Sequence, residues 1–108
     1  MSSPVKQIDV FDPEYRDRVR DAAWTAIIEA TRDPTTNMAI LRNYEIYDAL
    51  LQIQAMILAS SKEAQSPNKR REIYHDLAKR LRRHVKEFKR NYELEGTPFS
   101  VVHTDEMH

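Results

Sequence analysis

The sequence has no cysteine. That excludes a disulfide framework and any Cys-ligated zinc or iron–sulfur centre. It has one glycine, Gly96, so no glycine-rich loop for cradling phosphate exists. A chain so poor in glycine favours long regular helices over turns and sheets. It also lacks an apolar run near the ~18 residues that a membrane span requires. The most apolar stretch, residues 37–60, is interrupted by Arg42, Glu45 and Asp48. The opening Met-Ser-Ser-Pro-Val-Lys-Gln-Ile contains no apolar signal-peptide segment. The expectation is a cytoplasmic protein that does not enter a membrane.

Net charge is lacking too: 17 basic and 17 acidic groups cancel. The balance names no partner, but the distribution is uneven. Residues 69–90 hold ten basic and three acidic groups, a net +7, and residues 91–108 are net −4. With 108 residues the chain is expected to form one domain with a moderate core. The reading is an N-terminal arm over 1–11, a three-helix domain over 12–96 and a C-terminal tail over 97–108.

What the chain does have is a stretch with two apolar faces. On a helical wheel, Ile46, Leu50, Ile53 and Ile57 fall in one stripe. Ile40, Tyr44, Tyr47, Leu51 and Leu58 form a second stripe roughly 110° away. Only Glu45, Asp48 and Gln52, with Ala59 among them, make a polar sector. A surface helix buries one face and wets the rest. This one needs cover from two sides, supplied by other helices of the chain or by a second molecule.

Three acceptor–proline pairs, Asp12-Pro13, Asp33-Pro34 and Ser66-Pro67, read as helix starts. The side chain takes an orphan backbone N–H, and proline fits the first helical position. They predict helices at 13–32, 35–62 and 67–95. Helix 1 carries an alanine-rich stripe, with Trp24 and Ile28 off it and one turn apart. That pair meets either the arm or helix 2, or anchors an oligomer, since tryptophan is enriched in interface anchors. Helix 3 carries Ile73, Tyr74, Leu77, Leu81, Val85, Phe88 and Tyr92 on one side. Lys79, Arg82, Arg83, Lys86, Lys89 and Arg90 lie opposite. Gly96 suits a left-handed helix end, and Pro98 blocks restart. Val5, Ile8, Val10 and Phe11 in the arm are apolar enough to lie along the body or on a neighbour. Phe99, Val101 and Val102 give the tail residues that can dock.

Chemistry is sparse. Glu72-Ile73-Tyr74-His75 matches one Glu-x-x-His pair of a di-iron bundle, but such a site needs two pairs and two further glutamates facing inward. His84 borders the apolar stripe. His103 and His108 lie in the tail with Asp105 and Glu106, without tetrahedral metal spacing. Ser60, Ser61 and Ser66 have no His–Asp constellation. No catalytic, cofactor or metal site is expected, and no small-molecule substrate.

The fold expected is all-α, a three-helix up-down-up bundle with extended arms that self-associates. The function expected is a non-enzymatic interaction or assembly protein, a structural subunit of a virion or other large complex, or an adaptor. Its interface would use Trp24, Ile28, Ile40, Tyr44, Tyr47, Leu51 and Leu58, and its partner would be itself or another protein. The alternative is nucleic-acid binding through the basic face of helix 3.

Overall fold

Asp12 starts the first helix as its neighbours require. Its carboxylate accepts the Glu14 and Tyr15 backbone N–H groups at 3.0 and 3.3 Å, and Pro13 takes the first helical position. The computed structural model describes residues 5–8 and 10–97. Among them are three α-helices and no strand: α1 (Pro13–Ala30), α2 (Asn43–Ala59) and α3 (Pro67–Glu95). They fall into two units that divide between Ser61 and Lys62.

In the first unit, α1 ends where Thr31 turns its hydroxyl back to the Ile27 carbonyl at 2.7 Å. The chain then reverses. Asp33 Oδ1 accepts the Thr35 N–H at 3.1 Å, and Oδ2 accepts the Thr36 hydroxyl at 3.0 Å. The Asp33 N–H reaches Met38 O at 2.7 Å and the Ile40 N–H reaches Thr31 O at 3.0 Å. An isolated antiparallel bridge joins Arg32 to Ala39, and the Arg32 guanidinium donates to Asn37 O at 2.8 Å. Asn37 takes φ 61°, the left-handed region that asparagine tolerates better than most residues.

Asp33-Pro34 therefore opens a turn, not the second helix. The expected start at residue 35 is corrected to Asn43. The same punctuation serves both structures, because Asp before Pro can cap a helix or seed a turn. Here the left-handed Asn37 stops helix propagation. Arg42 occupies the cap position of α2 with no side-chain cap hydrogen bond and instead pairs with Glu45. At the other end, Ser60 and Ser61 hydroxyls donate to Ile57 O and Leu58 O at 3.0 and 2.7 Å.

The arm touches this end of α2. Gln7 Nε2 donates to Ile57 O at 3.2 Å and to Ser60 Oγ at 2.7 Å. Phe11 receives the Arg16 guanidinium over its ring at 5.5 Å. Val5, Ile8 and Val10 stay exposed.

In the second unit a single 3₁₀ turn, Lys62–Ala64, precedes α3. Ser66 Oγ caps the helix by accepting the Lys69 N–H at 3.1 Å, and Arg70 reaches back to Ala64 O. The turn packs on the first part of α3. Gly96 closes α3 with φ 85° and ψ 161°. The φ is positive as expected, but ψ is extended instead of left-handed helical, a region essentially restricted to glycine. The expected docking by Phe99, Val101 and Val102 lies outside the described residues, as do the tail histidines.

None of the described residues is buried, and α1 and α2 do not pack on one another. The stripes that the sequence marks as core are formed as helix faces and remain open.

Candidate interaction surfaces

On α2 both apolar stripes exist on one rigid element. Tyr44, Tyr47, Leu51 and Leu58 line one; Ile46, Leu50, Ile53 and Ile57 line the other. Tyr44 is 83% exposed and Leu51 60%, so the helix presents its side chains nearly whole. The Tyr44 and Tyr47 rings meet edge to face at 6.0 Å and 86°, which joins them into one aromatic surface. Asp48 accepts from Gln52 at 2.8 Å, closing the polar sector on itself. Ile40 does not share this helix. It lies in the reversal between α1 and α2 and is held there by its backbone, so its place in the α2 stripe is corrected.

Trp24 and Ile28 lie one turn apart on α1, with Trp24 42% exposed and Ile28 partly covered. Four charges of α1 pair with one another. Arg16 pairs with Asp17 at 2.9 Å, and Arg20 pairs with Asp21 at 3.0 Å and Asp17 at 3.3 Å. The hydrogen bond to Asp21, with that carboxylate's charge and then Asp17's, raises the Arg20 guanidinium above its ordinary pKa.

On α3 the two faces differ in kind. The apolar side carries Tyr74, Leu77, Leu81, Val85 and Phe88, all exposed, with Leu81 at 65%. Phe88 and Tyr92 stack obliquely at 6.0 Å. On the basic side two acids pair with arginines, while Glu72 and Glu93 take no ion pair among the described residues. Asp76 binds Arg80 at 2.9 Å, an i, i+4 pair. Glu87 faces Arg83 at 3.7 Å, with His84 Nδ1 at 3.4 Å, and makes no ion pair with Arg90. Lys79, Arg82, Lys86, Lys89 and Arg90 are exposed and take no ion pair among the described residues.

The Glu-x-x-His pair separates in use. Glu72 lines a shallow open recess with Lys62, Glu63, Lys69, Ile73 and Asp76, and His75 does not. No group of three or more His, Asp or Glu able to hold a metal occurs among the described residues. No described helix is long and apolar enough to cross a membrane.

Sequence reasoning missed the Gln7 contact with the end of α2. Its sequence signal is slight: Lys6 and Gln7 are two polar residues between the apolar Val5 and Ile8. It also missed the turn at 33–37, for which Asn37 after Thr35-Thr36 was the available sign. Compared with known protein families, with known proteins and with solved structures, the chain matches none.

Proposed function

We propose that the protein is a non-enzymatic helical assembly module. In its working state the three helices close as an up-down-up bundle within one domain, residues 12–96. The stripe of α2 bearing Tyr44, Tyr47, Leu51 and Leu58, together with Trp24 and Ile28, then binds a second copy. Such a module serves as a small structural subunit of a large complex or as an adaptor, and acts in the cytoplasm.

One observation carries this reading: α2 is apolar on two faces and has neither face buried. Covering a half-exposed Leu or Ile gains roughly 1 kcal/mol, about half the value of full burial. Tyr44, Tyr47, Leu51 and Leu58 then gain roughly 4 kcal/mol in each copy, about 8 kcal/mol for a symmetric pair, which falls within the range of about 4–15 kcal/mol that association costs. So α2 alone does not hold two chains together. The α1 patch, and the α3 stripe through bundle closure, must contribute as well.

Light scattering at micromolar concentration tests the reading. The expected mass exceeds the 12.7 kDa of one chain. A stable monomer that unfolds cooperatively overturns self-assembly.

A further inference from the structure

We propose that α3 binds the phosphate backbone of duplex DNA, without sequence preference, through Lys79, Arg82, Lys86, Lys89 and Arg90. The first ground is that these cations have no partner. A basic helix is ordinarily a solvated face whose charges are met by acids three or four positions away. On α3 three acids stand three or four positions from them: Asp76 is committed to Arg80 and Glu87 to Arg83, and Glu93 makes no ion pair with Lys89 or Arg90. The five remaining cations are exposed and unpaired among the described residues.

The second ground is their alignment. At about 100° per residue they cover roughly 100° of the wheel, and the Ile73–Phe88 stripe lies on the other side. They span about 16 Å of helix axis. Duplex DNA presents a charge every ~1.7 Å of its own axis, so each cation has a phosphate within reach. An α-helix with side chains is about 10–12 Å across, close to the ~12 Å width of the major groove.

The third ground is what the face lacks. Tyr74, Phe88 and Tyr92 all lie on the apolar side, so no aromatic is available to stack on unpaired bases. That favours a duplex over a single strand. It also favours nucleic acid over a lipid surface, which would take up the apolar stripe as well. Binding by the cationic face leaves that stripe free for bundle closure. The inference holds whether or not α2 self-associates.

The test is fluorescence anisotropy of a random-sequence DNA duplex with the full chain at ~50 and ~200 mM salt. Five phosphate contacts give a slope of about −4.5 in log K against log salt, a loss of roughly 500-fold over that range. Replacing Arg82, Lys86 and Lys89 with Gln should flatten the slope by about 2.7, with helicity in circular dichroism unchanged. A second variant guards against misfolding of the first. Glu87→Gln releases Arg83 beside the face and should tighten binding and steepen the slope by about 0.9. No binding at the lower salt overturns the proposal. So does tighter binding to a single strand, or binding only to phosphatidylserine vesicles. A Glu87→Gln variant that binds no better also overturns it.

Discussion

Asp12, Ser66 and Asn37 each hold a local conformation, the first two by side-chain caps and the third by its positive φ. Asp12 and Ser66 satisfy backbone donors that no helical carbonyl can reach. Replacing either with alanine should cost about 1 kcal/mol of local helix stability. Hydrogen exchange should register this as roughly 5-fold faster exchange of the Glu14 and Tyr15 amides for Asp12→Ala, and of the Lys69 amide for Ser66→Ala. Asn37 sets the reversal before α2 through its positive φ. Asn37→Val should destabilise that turn by roughly 1–2 kcal/mol, since a branched side chain resists the left-handed region. Asn37→Gly should leave it intact. The amides of Asp33 and Ile40, bonded to Met38 O and Thr31 O, are the probes. Equal exchange in the two variants would show that the Arg32 and Asp33 contacts hold the turn unaided.

At the scale of the element, α2 separates helix formation from helix use. Leucine and glutamate are both good helix formers, so Leu51→Glu should keep α2 helical while placing a charge in its second stripe. An unpaired charge in an apolar seam costs at least about 1–3 kcal/mol. Assembly should therefore weaken by more than about 10-fold in sedimentation experiments. Gln52→Glu, one residue along in the polar sector, should leave assembly unchanged. Loss of assembly in both variants would point to a helix defect; loss in neither would remove α2 from the interface. On α3, charge pairing follows geometry more than composition. Glu87 turns to Arg83, one turn earlier, instead of Arg90, and that choice leaves Arg90 with the free cations.

For the whole molecule, Trp24 reports on association because it is the only tryptophan. Partly exposed on α1, it should shift its emission to the blue as concentration rises and copies cover it. As an interface anchor, Trp24→Ala should weaken assembly by roughly 30-fold, equivalent to about 2 kcal/mol, while helicity stays near that of the parent. The melting temperature of the parent should rise with protein concentration, as mass action requires when folding and association are coupled. A concentration-independent transition, with Trp24→Ala lowering it by a fixed amount, would assign Trp24 to the core of a single chain.

The sequence by itself determined the helices at 13–30 and 67–95, within two residues at every end, and the placement of apolar and basic residues on their faces. It could do so because caps, proline positions and wheel patterns involve residues at most a few positions apart. Only the tertiary structure decided three things. Asp33-Pro34 seeds a turn because backbone groups at Thr31, Asp33, Met38 and Ile40 find one another across a reversal, which removes Ile40 from the α2 stripe. Gln7 closes the end of α2 because the arm, some fifty positions away in sequence, returns to it. Asp76 and Glu87 take Arg80 and Arg83, which leaves Lys79, Arg82, Lys86, Lys89 and Arg90 exposed and unpaired among the described residues. In each case several partners compete for one donor or acceptor. Position in space selects among them, and residue type alone does not.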